Sequence, residues 1–177
     1  MLIVASLTED HVKLMRMQED LEEKLSQPLV ELSLRETLMK LVELRESSRA
    51  DVLKKEFKIS DKQFWWWKVE ALCRSSQWSE LEQFAKNKKS PIGYLPFVEM
   101  CAKYDKNTEA KKYLKRIPTE ERVKAYIKMK MLTEAAELAF EQRSEDALNT
   151  VLSHCGPQNR GLTDKISTFK QQLRDNK

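Results

Sequence analysis

One short pattern occurs three times in the chain, and this repetition limits the possible folds more than any other feature of the sequence. Residues 78–81 (WSEL) align with 107–110 (NTEA) and with 132–135 (LTEA), at offsets of 29 and 25 residues. The flanking apolar residues then coincide as Val69, Val98 and Val123, as Leu72, Cys101 and Tyr126, as Cys73, Ala102 and Ile127, and as Phe84, Tyr113 and Leu138. Each unit is predicted to be a helix, a tight turn and a second helix. Because one such pair cannot bury its apolar face alone, we expect an all-α solenoid of stacked antiparallel helix pairs.

The composition also favours helix. The 177 residues include only three glycines and five prolines, and the prolines at 91, 96, 118 and 157 fall near the ends of predicted helices, where proline is tolerated. No alternating strand pattern of any length occurs. Apolar periodicity predicts helices at 8–25 with Thr8 as its N-cap, and at 32–44, 48–57, 60–75, 78–88, 95–104, 107–116, 118–129, 132–142 and 144–154.

Three regions are expected along the chain. Residues 1–57 are predicted to be partner-facing helices, residues 58–154 three helix-pair repeats, and residues 155–177 a loop with a C-terminal helix or tail. The first region carries a net charge of −3 and the remaining 120 residues +7. This asymmetry indicates either ordinary solvated helix faces or different neighbours at the two ends. The opening MLIVASL is too short for a signal peptide and lacks a basic leader, so we predict no signal peptide.

No catalytic constellation is predicted. The chain has three cysteines, Cys73, Cys101 and Cys155. Because this number is odd and no CxxC pair occurs, the sequence favours a reducing compartment without structural disulfides. His11 and His154 stand far apart, and no third ligand follows His154 and Cys155 at metal-binding spacing. We therefore expect a protein that is not an enzyme and that has no metal, no cofactor and no small-molecule substrate.

Aromatic residues are concentrated in FWWWK, residues 64–68. At about 100° per residue, the tryptophans at 65 and 66 fall within about 60° of the centre of the helix face that carries the aligned apolar positions. The predicted core therefore consists of Trp65, Trp66, Val69, Leu72, Cys73, Val98, Cys101 and Val123. Trp67 points the other way, either to pack on helix 48–57, to anchor a partner protein or to stack nucleic-acid bases.

Four sequence blocks carry a resemblance to a known family. DKQFWWWKVEAL, WSELEQFAKNKKSPIGYLPFVEMC, EAKKY and VLSHC resemble the C-terminal region of the vacuolar protein sorting 16 family, from about residue 30 onward. KKSPIGYLPFVE (88–99) is the most specific block, whereas residues 1–29 and 156–162 match less distinctly. A paralogous family, which pairs with a different SM protein (a Sec/Munc-type SNARE chaperone), shares the WW and KKSPIG elements, but VLSHC and PIGYLPFVE favour the first family.

The resemblance implies that the chain is the C-terminal end of a longer α-solenoid and that it has a scaffold role in trafficking. Members of the family are core subunits of the endolysosomal tethering complexes HOPS and CORVET, and this region docks an SM protein of the vacuolar protein sorting subunit 33 type, which templates SNARE assembly. The implied partners are that SM protein, other tethering subunits and, indirectly, SNAREs, with no nucleic acid. The implied location is cytoplasmic, peripherally on late endosomes and lysosomes.

The implied interface lies on helices 8–25, 32–57 and 60–75. An interface needs an apolar centre and a polar rim, and helical spacing suggests the partner-binding residues Leu7, His11, Met15, Gln18, Gln63, Trp67, Glu70 and Arg74. Gln63 occupies a position where related sequences carry arginine, which leaves the pairing chemistry at this position open.

Two alternatives remain open. One is a paralogous SM-binding adaptor of another complex, and the other is a basic helical module that binds a membrane surface or nucleic acid. The segment KNKKSPIGYLPF (86–97) has two interpretations: a shaped corner in which Gly93 allows an unusual backbone angle, or a basic loop that touches another subunit or an anionic membrane.

Overall fold

The computed structural model describes the backbone of residues 2–175 and the side chains of residues 9–175. Within this part of the chain every regular element is helical. The α-helices are α1 (Leu2–Leu25), α2 (Leu34–Glu43), α3 (Ser47–Glu56), α4 (Asp61–Arg74), α5 (Trp78–Asn87), α6 (Leu95–Lys103), α7 (Asn107–Leu114), α8 (Thr119–Lys128), α9 (Leu132–Glu141), α10 (Glu145–Ser153) and α11 (Arg160–Asp175), and a short 3-10 helix spans Pro157–Asn159.

The predicted fold class is confirmed: the protein is an all-α chain of packed helix pairs of the solenoid type. The predicted helix bounds from α2 to α10 agree with the structure within two residues at each end. The start of α1 was predicted wrongly, because the helix begins at Leu2 and runs through Thr8 instead of beginning there. Ser60 caps α4 as expected, since its hydroxyl accepts a hydrogen bond from the backbone N–H of Gln63.

The chain divides into two compact units, residues 1–92 and 93–177. In the first unit α2 packs against both α3 and α4, and α4 packs against α5. The Trp65 and Phe84 rings, with centroids 4.0 Å apart, join α4 to α5. Two ion pairs, Arg35 with Glu70 and Glu43 with Arg74, join α2 to α4. Arg35 and Glu43 lie near the start and at the end of α2, and their partners Glu70 and Arg74 follow in the same order along α4. The two helices therefore run parallel, as members of successive pairs.

In the second unit the pairs α6/α7, α8/α9 and α9/α10 pack in chain order, and α11 packs on α9 and α10. Its core contains Val123, Ala135, Leu148 and Ile166, all at most 3% exposed. Phe169 of α11 stacks on Phe140 of α9 with ring centroids 4.2 Å apart. The last helix thus covers the apolar side of the pair that precedes it.

Seven of the eight predicted core residues are buried: Trp65, Val69, Leu72, Cys73, Val98, Cys101 and Val123. The prediction for Trp66 is wrong, because this side chain keeps 37% of its surface in solvent. Around α4, Trp66 lies about 100° from Trp65 and about 60° from the exposed Gln63. It therefore lies at the border between the buried side and the exposed side of the helix.

Candidate partner-binding site

One face of α4 carries the four predicted partner-binding residues of this helix. Gln63 and Arg74 are exposed, and Trp67 and Glu70 are half-buried. Their spacing of four, three and four residues places them within about 60° of one another around the helix. The structure therefore brings these four residues onto one continuous stripe. Trp66 flanks it and adds an exposed indole that the sequence analysis had assigned to the core.

Charged side chains of α2 border this stripe. Arg35 donates to the Glu70 carboxylate, and the Arg74 guanidinium donates to Glu43. Arg74 and Arg35 also lower the pKa of Glu36, although the main causes are the hydrogen bonds that Glu36 accepts from the Ser33 side chain and backbone. Because the charged side chains of both ion pairs are partly exposed, they remain available to a second protein at the edge of the stripe.

A second exposed surface lies on α1. His11 and Met15 are exposed as predicted for partner-facing residues, whereas Leu7 lies outside the described side chains. Val12, which the sequence analysis had not selected, is 43% exposed and lines a shallow, mostly apolar concavity of about 420 Å³ together with Met17. The signal that could have identified Val12 is its position three residues before Met15, which places the two side chains on the same side of the helix.

Gln18 is a correction to the predicted surface. Its side chain is only 1% exposed, and its Nε2 donates to the Leu32 carbonyl and to the Thr37 hydroxyl, both at 2.7 Å. The Thr37 hydroxyl in turn donates to the Ser33 carbonyl at 2.9 Å. The connection between α1 and α2 folds back over this side of α1 and encloses Gln18. This residue therefore positions α1 against α2 and does not face a partner.

Further contacts hold α1 in place. The Glu22 carboxylate accepts hydrogen bonds from the backbone N–H groups of Val30 and Leu29, and these bonds lower its pKa. Lys13 forms an ion pair with Glu56 at 2.6 Å and lies 5.4 Å from the centre of the Phe57 ring. Since α1 contacts both the α1–α2 connection and the end of α3, its exposed side chains are presented from a defined position.

The site has the character of a protein-binding surface. Among the described residues, no group of three or more His, Cys, Asp or Glu side chains is placed to hold a metal ion. None of the described helices is both long enough and apolar enough to span a membrane. Exposed indoles beside charged residues on rigid helices are typical of interfaces between proteins.

Comparisons with known proteins agree with the resemblance. Residues 1–172 match the family described as "Vps16, C-terminal region". The vacuolar protein sorting-associated protein 16 homolog of Dictyostelium discoideum is 37% identical over 168 residues, which are 94% of this chain and 20% of that protein. The Drosophila melanogaster homolog is 41% identical over 144 residues, 81% of this chain and 17% of the relative. Protein VACUOLELESS1 of Arabidopsis thaliana is 38% identical over 135 residues, 75% of this chain and 16% of the relative. The chain thus spans at most a fifth of the length of these relatives.

Proposed function

This chain belongs to the family of Vps16 C-terminal regions, and we propose that it is a non-enzymatic scaffold that docks an SM-family protein within a tethering complex of the HOPS or CORVET type. The observation that carries the proposal is the stripe on α4, where Trp67 lies between exposed polar residues and beside the exposed Trp66. The names of the relatives, which refer to vacuolar protein sorting and to vacuoles, support this assignment for the complete proteins.

The docking surface is proposed to combine α4 with α2 and α1. A stable interface buries roughly 1,600 Å² in total, counting both partners, which is more than one helix face supplies. The α2 helix contacts both neighbours, through Thr37 to α1 and through Arg35 and Glu43 to α4. The indoles would form the apolar centre of the interface, and the charged residues would form its polar rim.

In the cell, the scaffold is proposed to reach late endosomes, lysosomes or vacuoles through its complex. The membrane association would then be peripheral, and SNARE proteins would be contacted indirectly, through the SM partner. Docking of this kind needs a rigid surface and no catalytic group.

Calorimetric titration of the chain with its SM-family partner tests the proposal. Trp67→Ala should weaken binding by at least about tenfold, because a buried tryptophan anchor commonly contributes 2 kcal/mol or more. Arg74→Glu should also weaken binding, but it places a carboxylate beside Glu43. The double variant Glu43→Arg/Arg74→Glu restores an internal ion pair and still carries the wrong charge for the partner. It should therefore fold normally and bind weakly.

The matched control is Arg143→Glu, which reverses an exposed arginine charge at the turn after α9, outside the proposed docking surface. Binding by this variant should be unchanged. If Trp67→Ala and the double variant both bind normally, the docking site lies elsewhere, and if the unmodified chain does not bind, the proposed function is wrong. A steep loss of binding with added salt would instead favour the alternative of a phosphate-binding module.

A further inference from the structure

A second concave site lies on another side of the first unit. Residues of α3, α4, α5 and the segment 88–91 surround a cleft of about 350 Å³. We call it the lysine cleft, because Lys54, Lys68, Lys88 and Lys89 line it together with two carboxylates, Asp51 and Asp61. Lys68 lies about 130° around α4 from the centre of the Trp67 stripe, so the two sites occupy different sides of the helix.

Lys68 lies among aromatic rings. It is half-buried, and its Nζ lies 4.6 Å from the centre of the Phe84 ring and 5.5 Å from that of Phe64. No carboxylate in the described part of the chain forms an ion pair with it. Burial lowers the pKa of Lys68, a change that Asp51 opposes and that the positive charge of Lys88 reinforces. The ammonium group is therefore partly desolvated, and it forms no ion pair although the negative charge of Asp51 acts on it.

The other charged groups of the cleft are arranged differently. Lys54 lies 4.9 Å from the centre of the Phe64 ring and pairs with Asp61, so both of these charges are already neutralised. Lys88 and Lys89 are exposed at the rim. An adjoining concavity of about 480 Å³ is also lined by Lys54 and Lys88, together with two further lysines, Lys55 and Lys58.

The concentration of lysine is local and does not follow from the overall charge. Residues 1–92 contain 16 Lys and Arg side chains and 16 Asp and Glu side chains, which cancel. Six of these 16 basic residues nevertheless line the lysine cleft and the adjoining concavity, against only two acids. Segregation of this kind attracts anionic partners and orients them before contact.

We propose that the lysine cleft binds an acidic peptide segment of a partner protein, with one Glu or Asp carboxylate placed against the Lys68 ammonium and flanking acids near Lys88 and Lys89. The shape of the cleft favours a peptide over a membrane surface, because a planar headgroup layer reaches rim lysines more readily than a half-buried ammonium on the floor of a cleft. The proposal does not depend on the docking of an SM protein at the α4 stripe.

Fluorescence anisotropy with the complete chain tests this inference. The probe is a short fluorescein-labelled peptide of alternating glutamate and serine, and the control peptide carries glutamine in place of glutamate. Lys68→Gln should raise the Kd for the acidic probe at least about tenfold, since loss of one partner of a desolvated charge pair has an effect of this order or larger. Lys62→Gln, which removes the same charge from an exposed position of α4 outside the cleft, should change the Kd less than about twofold.

A second variant keeps the test valid if Lys68→Gln does not fold. Lys88→Gln/Lys89→Gln changes only exposed side chains, and it should weaken binding several-fold and reduce the salt dependence. Equal binding of the glutamine peptide, equal losses in Lys62→Gln and Lys68→Gln, or no binding by the unmodified chain would each overturn the proposal. Phosphatidylserine vesicles are the third probe: if they bind and the acidic peptide does not, a membrane is the ligand and the peptide proposal is wrong.

Discussion

Replacement of the buried Gln18 gives the sharpest test of how the first unit is assembled. Its Nε2 makes two hydrogen bonds of 2.7 Å, to the Leu32 carbonyl and to the Thr37 hydroxyl, and the side chain is 1% exposed. Gln18→Met keeps most of the volume and removes the amide group, including its Nε2 donor. Gln18→Ala also leaves a cavity. Gln18→Glu places a carboxylate, which cannot donate a hydrogen bond, beside the two oxygen atoms that accept from the glutamine amide.

The expected losses follow from the number of bonds and from the cavity. Each of the two hydrogen bonds contributes about 0.5–1.5 kcal/mol net, so Gln18→Met should reduce the free energy of unfolding by about 1–3 kcal/mol. The loss stays in this range because the Thr37 hydroxyl keeps its bond to the Ser33 carbonyl. Gln18→Ala should cost about 2–4 kcal/mol once the cavity is included. Gln18→Glu should cost at least as much as the alanine change, because it buries a charge among acceptors.

Urea unfolding followed by tryptophan fluorescence and by circular dichroism measures these losses. Met15→Ala is the matched control, because Met15 lies on the same helix with its side chain exposed, and its cost should stay below about 0.5 kcal/mol. The reasoning fails if all three Gln18 variants keep the stability of the unmodified chain. Unchanged stability combined with weaker binding of the SM partner would restore Gln18 as the surface contact that its helical spacing suggested.

Three further changes test other parts of the fold. Glu22→Gln should lower stability at pH 7. Because the pKa of Glu22 is lowered, its contribution to the free energy of unfolding is complete above about pH 4.5 and is lost at lower pH. The difference in stability between the two proteins should therefore disappear when both are titrated with acid. Lys130→Gly should raise the free energy of unfolding by up to about 1 kcal/mol, because φ at Lys130 is +58°, an angle that glycine adopts without strain. The control Lys124→Gly, inside α8, should lower the free energy of unfolding by a similar amount. Thermal melts of the two variants measure both changes. Phe169→Ala should cost about 2–3 kcal/mol in urea unfolding, since it removes the ring that stacks on Phe140.

The sequence was sufficient to predict the helices and their pairing because both depend on local signals. Apolar periodicity and the positions of proline placed nine helices within two residues of their bounds. On α4, a spacing of three and four residues also placed Gln63, Trp67, Glu70 and Arg74 on one face. These predictions needed only the geometry of a single helix.

Predictions that depended on contacts between distant segments were less successful. Gln18 has the spacing of a surface residue, and only the return of the α1–α2 connection, which brings the Leu32 carbonyl to its amide, makes it a buried residue. Trp66 lies at the edge of the apolar side of α4, and the neighbouring helices leave 37% of its surface exposed. The spacing of residues along one helix predicts neither the path of a connection nor the position of a neighbouring helix.

The turns within the helix pairs explain why the repeat could be recognised although its turn residues differ. At the aligned turns, Ser76, Asp105 and Lys130 all adopt left-handed backbone angles, with φ between +55° and +58°. In each case the next N–H donates back to the aligned apolar residue of the first helix. The donors are the backbone N–H groups of Gln77, Lys106 and Met131. They bond to the carbonyls of Leu72, Cys101 and Tyr126, respectively, at 2.8–2.9 Å.

Glycine is the usual residue for this type of helix end, yet the three turns carry serine, aspartate and lysine, all with exposed side chains. The backbone bonds and the buried apolar positions therefore determine the turn, and the exposed residue can vary at a cost of about 1 kcal/mol. This accounts for the form of the repeat in the sequence. The core positions coincide at offsets of 29 and 25 residues, while the turn is recognisable by its place between the helices and not by a glycine.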